Sequence, residues 1–152
     1  MKQDFGTDGK ALELWNKLQK VHQEIYRDIQ KNFQDKGITA SQFEVLIELS
    51  KHKQLPMWKI SDLLAVTGGN VTGLIDRLEN KGFVVRIRSE KDRRIILAKI
   101  TRKGEEIFEN TIHNFTESLK SNLCTLEISE FKELDSILEK LCNNFTKEEK
   151  PV

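Results

Sequence analysis

Basic side chains are concentrated in one stretch of this sequence. Residues 68–104 contain ten lysine and arginine residues against four aspartate and glutamate residues, whereas the whole 152-residue chain has a formal net charge of +1. The rest of the chain is therefore acidic. A basic segment inside an acidic frame is the electrostatic pattern of polyanion binding. The distribution favours a nucleic-acid contact, with an ordinary solvated charged surface as the alternative.

The first part of the basic stretch has the spacing of an amphipathic helix. Within residues 70–81 the apolar side chains fall on one stripe at helical spacing. The polar surface that remains carries Asn70, Thr72, Gly73, Asp76, Arg77 and Lys81. A short predicted helix at 60–64 and a Thr-Gly-Gly turn at 67–69 come before it. Two helices joined in this way indicate a helix-turn-helix, with an ordinary helical hairpin as the alternative.

The second part of the stretch has the composition of a β-hairpin. Residues 83–88 and 95–100 are rich in β-branched side chains, and the charged segment 89–94 separates them. A β-ribbon directly after a major-groove helix lies beside the adjacent minor groove. The helices and the hairpin together predict a winged helix-turn-helix, in which the hairpin is the wing.

These residues also carry a family resemblance. The sequence VTGLIDRLENKGFVVR at 71–86, DRR at 92–94 and ITRKG at 100–104 resembles the MarR-type regulators. The resemblance implies that Asn70, Thr72, Gly73, Asp76 and Arg77 lie on a recognition helix that faces base edges and phosphates. The helix start at Gly69 and Asn70 can offer free backbone N–H groups to a phosphate.

The arginines are expected to differ in their roles. Arg77 can fork onto the O6 and N7 atoms of guanine, and a salt bridge to Asp76 or Glu79 is the alternative. Arg94 occupies the second position of the family's Asp-x-Arg pair in the wing and is expected to enter a narrow minor groove. Asp92 would orient Arg94 or support the hairpin turn. Four basic positions are predicted to neutralise phosphates without reading sequence: Arg86, Arg88, Lys91 and Arg93. Lys81, on the polar surface of the predicted helix, is a further candidate DNA-binding residue.

Long amphipathic helices are predicted on both sides of this lobe. Their apolar stripes are wider than one small winged module can cover, which predicts a partner chain over residues such as Leu14, Leu18, Leu134, Leu138 and Leu141. Packing within one chain is the alternative. The resemblance implies a homodimer through the terminal helices. We therefore expect a mainly α fold with an N-terminal dimerisation helix (1–36), a winged helix-turn-helix DNA-binding lobe (37–100), C-terminal dimerisation helices (101–146) and a frayed tail (147–152).

The resemblance implies a transcriptional regulator, expected to be a repressor that binds a near-palindromic operator on double-stranded DNA as a homodimer. It also implies a small aromatic or phenolic effector in a cleft between the dimerisation helices and the DNA lobe. The candidate cleft residues are Trp15, His22, Tyr26 and Trp58, each of which can instead be a core or rim residue. The alternative function is an architectural DNA-binding protein or a protein-interaction scaffold without an effector.

Other classes of protein lack their signatures here. The sequence has no nucleophile elbow, Walker loop or dinucleotide fingerprint, so neither an enzyme nor a cofactor is expected. His22, His52 and His113 are too scattered for a metal motif, and Cys124 and Cys142 lack C-x-x-C spacing. The family's peroxide-sensing branch uses a cysteine near the first helix, and no cysteine precedes Cys124. No apolar run is long enough to span a bilayer and no signal-peptide pattern opens the sequence, so we expect no membrane association and a cytoplasmic location.

Overall fold

A computed structural model describes residues 8–33 and 36–146 of the protein. Within these residues the chain forms six α-helices and three β-strands. Their order is α1 (Asp8–Asn32), α2 (Ala40–His52), β1 (Gln54–Pro56), α3 (Met57–Leu63), α4 (Gly68–Asn80), β2 (Val84–Arg88), β3 (Ile96–Ile100), α5 (Arg102–Leu123) and α6 (Ile128–Thr146). The mainly α architecture with a β-hairpin confirms the predicted fold class. The tail at 147–152, for which fraying was predicted, lies outside the described residues.

A capping box is present at the start of α2. The Thr39 hydroxyl accepts a hydrogen bond from the Gln42 N–H at 3.2 Å, and the Gln42 side chain accepts one from the Thr39 N–H at 3.2 Å. Two N–H groups that the helix itself cannot satisfy are thereby paired. This cap fixes the start of the helix against which α3, α4 and the sheet pack.

Helix α4 begins earlier than its apolar stripe suggests. Thr67 is its N-cap, and the Thr67 hydroxyl accepts the Asn70 N–H at 3.4 Å. Gly68 and Gly69 therefore form the first turn of the helix rather than the preceding turn, in which Ala65 supplies the left-handed residue at a φ of 50°. A glycine ends the helix, because Gly82 has a φ of 74° and the Phe83 N–H donates to the Leu78 carbonyl at 2.9 Å.

The hairpin is part of a three-stranded antiparallel sheet with strand order β1-β3-β2. Val85 of β2 pairs with Lys99 of β3, and Leu55 of β1 pairs with Ala98 on the other side. The sequence did not predict β1, since three residues are too few to show alternation. Pro56 is tolerated there because β1 is an edge strand.

The core lies where α2 meets the ends of α1 and α5, α4 and the sheet. Phe33, Phe43, Phe108 and Phe115 pack as an aromatic cluster, with ring centroids 5.1–6.0 Å apart in the contacting pairs. The apolar stripe of α4 is buried against this core, as predicted, through Val71, Leu74, Ile75 and Leu78. The outward side of α4 is thereby fixed relative to the wing.

The terminal helices keep large apolar faces outside this core. Leu14 and Leu18 of α1 are 59% and 44% exposed, and Leu138 of α6 is 42% exposed. The large apolar residues that are exposed on the described parts of these two helices are Leu12, Leu14, Trp15, Leu18, Val21, Ile128, Phe131, Leu134, Ile137, Leu138 and Leu141. These residues are therefore not buried by packing within one chain, which was the alternative to a partner chain.

One close backbone contact joins the hairpin to α5. The Thr101 hydroxyl caps α5 by accepting the Gly104 N–H at 3.1 Å and donates to the Gly82 carbonyl at 2.7 Å. A Cβ built on Gly104 would lie 2.1 Å from the Phe83 carbonyl oxygen. Only a glycine at this position lets α5 approach the start of the wing so closely.

We expect Gly104→Ala to lower the free energy of unfolding by about 1–3 kcal/mol, because the added methyl group must push the backbone of Phe83 away. Gly73→Ala is the matched control, since a Cβ at Gly73 meets nothing within 4 Å and alanine raises helix stability by roughly 0.5–1 kcal/mol. Urea denaturation at one protein concentration checks both variants. Equal stability of Gly104→Ala and the unaltered protein would contradict the packing argument.

Candidate DNA-binding surface

The outward face of α4 presents polar side chains to solvent. Asn70, Thr72, Asp76 and Arg77 are exposed, and Gly73 is half-buried between them. Arg77 has no ion pair with any side chain in the described ranges. The carboxylates that could have paired with it, Asp76 and Glu79, are both engaged by a different arginine. The alternative of a local salt bridge at Arg77 is therefore not the one that the structure adopts.

The start of α4 is open to an anion. The first N–H groups of a helix have no partner within it, and here Thr67 caps only that of Asn70. A Cβ built on Gly68, Gly69 or Gly73 would meet nothing within 4 Å. Packing within the protein therefore does not require glycine at these three positions. The space beside them is open, which allows a phosphate backbone to approach the helix closely.

Arg86 joins strand β2 of the wing to helix α4. Its guanidinium lies 2.7 Å from the Asp76 carboxylate and 2.6 Å from that of Glu79, and it also donates to the Thr72 carbonyl at 3.3 Å. Glu79 in turn accepts the Arg86 backbone N–H at 2.9 Å. That backbone hydrogen bond and the Arg86 side chain hold the pKa of Glu79 below its usual range. The geometry gives Arg86 a positioning role inside the lobe rather than the free guanidinium expected of a phosphate contact.

At the tip of the wing, Asp92 holds Arg94 in a two-point contact. The Nε and Nη2 atoms of Arg94 lie 3.1 and 2.9 Å from the two carboxylate oxygens of Asp92. The Arg94 side chain is nevertheless 90% exposed. The Asp92 carbonyl also accepts the Ile95 N–H at 2.9 Å, so Asp92 both orients Arg94 and supports the turn. The hydrogen bonds from Arg94 lower the pKa of Asp92, which keeps this carboxylate ionised.

The other predicted basic residues divide into two groups. The side chains of Lys91 and Arg93 are exposed at the wing tip, and Arg88 is exposed with a single long contact, 3.4 Å from Nη1 to the Arg93 carbonyl. Lys81 points inward instead, where it donates to the Gly37 carbonyl and, at 3.1 Å, to Gln42. Lys81 therefore helps to fasten α4 to α2.

The predicted effector-cleft residues are only partly brought together. His22 and Tyr26 stack with ring centroids 6.0 Å apart and line a cleft of about 650 Å³ between α1, α2 and the turn after α3. Trp15 and Trp58 do not line this cleft, and they are 56% and 63% exposed elsewhere. Ser41 and Glu44 of α2 complete its wall, and sequence reasoning missed both. Their positions depend on how α2 packs on α1, for which the sequence carries no local signal.

Sequence reasoning also missed the ion pairs of Glu79. The six residues between Glu79 and Arg86 include the end of α4 and a glycine turn, so helical spacing could not relate the two side chains. Thr67 did have a detectable signal, because a threonine before a helix start is a preferred N-cap.

A sequence model of the MarR family matches residues 38–96, which contain α2 to α4 and most of the hairpin. The uncharacterized HTH-type transcriptional regulator YfiV of Bacillus subtilis is 33% identical over 114 residues, which cover 73% of this chain and 71% of that protein. The chain belongs to the MarR family.

Other members of the MarR family agree with this assignment. The transcriptional repressor MdtR of B. subtilis is 34% identical over 95 residues, but the alignment spans only 61% of MdtR and 62% of this chain. The structure of a mutant MarR from E. coli complexed with operator DNA superposes with a TM-score of 0.80 at 26% identity, covering 90% of this chain and 98% of that one. These MarR-family relatives are DNA-binding transcriptional regulators, which is not a class of enzymes.

A metal-binding cluster and a membrane-spanning helix are both absent from the residues that the structure describes. No group of three or more histidine, cysteine, aspartate or glutamate side chains in those ranges is arranged to hold a metal ion. None of the helices in that part of the chain combines the length and the apolar character needed to cross a bilayer.

We expect Arg86→Gln to weaken DNA binding by about tenfold, because it leaves the Asp76 and Glu79 carboxylates unpaired beside the phosphates. Adding Asp76→Asn should restore part of the loss, since one repelling charge is removed. Titrations by fluorescence anisotropy at several salt concentrations check this, with Arg102→Gln as the control that removes an equal charge from a side chain 92% exposed on α5.

A direct phosphate contact by Arg86 would give a different result. The slope of log K against log salt would then fall by about 0.9, and Asp76→Asn would restore nothing. That outcome would contradict the positioning role.

Proposed function

We propose that this protein is a cytoplasmic repressor that binds a near-palindromic operator as a homodimer and is released from it by a small effector. The observation that carries the proposal is the pair of outward-facing guanidinium groups, Arg77 on the recognition helix and Arg94 on the wing. Arg77 is unpaired within the described chain, and Arg94 is held by Asp92 yet almost fully exposed. Such groups suit a major-groove and a minor-groove contact, respectively.

Helix α4 enters the major groove in this proposal. Arg77, Asn70 and Thr72 face base edges, Gly73 allows the DNA to come close, and the free N–H groups of Gly68 and Gly69 bind a phosphate. The open space at these glycines supports this placement. The E. coli relative complexed with operator DNA supports it as well.

The wing provides the second contact. Arg94 enters the minor groove, where its orientation by Asp92 reduces the side-chain entropy lost on binding. Arg88, Lys91 and Arg93 neutralise phosphates on either side. These residues set the affinity and the salt dependence, whereas α4 supplies most of the base recognition.

A second copy of the chain covers the exposed apolar faces of α1 and α6. A groove of about 540 Å³, lined mainly by apolar atoms, lies between α1, the turn after α5 and α6, with Leu14, Leu18, Val21, Leu126 and Leu134 among its walls. Side chains of a partner fit such a groove. The resulting two-fold axis places two recognition helices on half-sites about one DNA turn, ~10 base pairs, apart.

The effector occupies the cleft at His22 and Tyr26. This cleft lies between α1, a proposed dimerisation helix, and α2, on which the recognition helix packs. A ligand there alters the angle between the two parts of each subunit and hence the distance between the recognition helices. A volume of about 650 Å³ is within the range of small-molecule sites.

The proposal is tested on the operator that the protein itself selects from a random DNA pool. We expect Arg94→Ala to weaken binding to that operator by at least tenfold, since a minor-groove arginine is lost, while thermal stability is retained because the side chain is exposed. Arg93→Ala should have a smaller effect that is equal for all DNA sequences. Gel-shift titrations measure both.

Either of two results would overturn the proposal. One is a selection that enriches no palindromic sequence. The other is equal operator affinity for Arg94→Ala and the unaltered protein.

A further inference from the structure

The cleft between α1 and α2 has a distinct chemical character. His22 and Tyr26 form one wall, and Ile47, Leu63, Leu64, Ala65 and Val66 give it an apolar floor. The Tyr26 hydroxyl is hydrogen-bonded to the Ser41 hydroxyl, so both polar groups are already satisfied. The charged side chains in the lining are two carboxylates, those of Glu44 and Glu48.

The two carboxylates differ in their partners. Glu48 is paired with Lys51 at 2.7 Å and lies 4.0 Å from His52. Glu44 is half-buried and forms no hydrogen bond or close ion pair with any part of the chain that the structure describes. Burial raises the pKa of Glu44, and the electrostatic interaction of Glu44 with His22 offsets this increase only in part. A half-buried carboxylate without a partner is costly, and a bound cation would relieve that cost.

No lysine or arginine lines this cleft in the described ranges. Arg27 and Lys31, farther along α1, line a separate depression that shares only His22 and Tyr26 with it. Arg27 is moreover paired with Glu24 at 2.8 Å. An anionic ligand in the cleft would therefore meet the Glu44 carboxylate with no lysine or arginine among the described lining residues to compensate. A cation with apolar groups would instead be attracted to Glu44 and would pack on the apolar floor.

We propose that the cleft binds an organic cation with apolar or aromatic groups, and that Glu44 is the counter-ion for its positive charge. This inference rests on the proposed effector-controlled repressor and defines the chemical class of its ligand. It differs from the phenolic effector that the sequence resemblance implies.

The position of Glu44 also connects the ligand to DNA binding. Glu44 and Ser41 line a second, smaller depression on the other side, whose opposite wall consists of Asn70, Gly73 and Arg77 of the recognition helix. A cation drawn to Glu44 therefore acts on a side chain that lines the same depression as residues proposed to read the operator. In this arrangement, a local change around Glu44 is enough for the ligand to alter the position of α4 and release the DNA.

The test uses tetraphenylphosphonium and tetraphenylborate, which have nearly the same shape and opposite charge. Isothermal titration calorimetry on the full chain measures the binding of each probe. We expect tetraphenylphosphonium to bind at least about tenfold more tightly than tetraphenylborate. Glu44→Gln should remove most of that preference, while Glu48→Gln, the matched control, should retain it because Glu48 is already paired with Lys51.

Tighter binding of the borate, equal binding of both probes, or an unchanged preference in Glu44→Gln would overturn the proposal. If Glu44→Gln fails to fold, the comparison of the two probes on the unaltered protein still decides. The calorimetry contains no DNA, so its result is independent of whether the operator proposal holds. A parallel gel shift on the selected operator, with and without tetraphenylphosphonium, reports on the repressor proposal separately.

Discussion

The apolar faces of α1 and α6 are the constraint on which the rest of the structure depends. Complete burial of a leucine contributes about 1.5–3 kcal/mol, and these two helices leave a continuous series of such side chains in contact with water when one chain is alone. An exposed apolar surface of this kind marks an association site. The interface that covers it would fix the distance between two DNA-binding lobes, and that distance determines which DNA sites both lobes can reach.

Within one lobe, a small number of close contacts make the recognition helix and the wing a single unit. The glycine cap at Gly82 turns the chain from α4 into the hairpin, and Gly104 lets α5 pack directly against the carbonyl of Phe83. Arg86 then joins β2 to α4 through the Asp76 and Glu79 carboxylates. These contacts leave the Arg77 guanidinium without an ion pair among the described residues and leave Arg94 held by Asp92 at the exposed tip. Both cations are therefore accessible from outside the unit.

Much of this arrangement could be predicted from the sequence because its signals are local. The apolar stripe of α4, the capping box at Thr39, the glycine after α4 and the β-branched runs of the hairpin each act within a few residues, and all four are present in the structure. The Asp92–Arg94 contact was also predictable from the sequence, since the two residues are two positions apart on one turn. The exposed stripes of α1 and α6 were predicted from their width alone.

Features that depend on tertiary packing were not predictable in the same way. The pairing of Arg86 with Glu79 requires the chain to reverse at Gly82, and the inward position of Lys81 requires Gly37 and Gln42 to lie beside it. Strand β1 exists only because β3 offers it a free edge. Trp15 and Trp58 were candidates for the cleft through their residue type, yet His22, Tyr26 and Glu44 line it because α1 crosses α2 at that point.

The mass of the protein in solution tests the central claim most directly. Light scattering at micromolar concentration should give twice the 17.7 kDa of one chain, and replacing Leu134 and Leu138 with lysine should give a single-chain mass together with a large loss of operator affinity. A mass of 17.7 kDa for the unaltered protein, or a lysine variant that stays dimeric, would contradict the account.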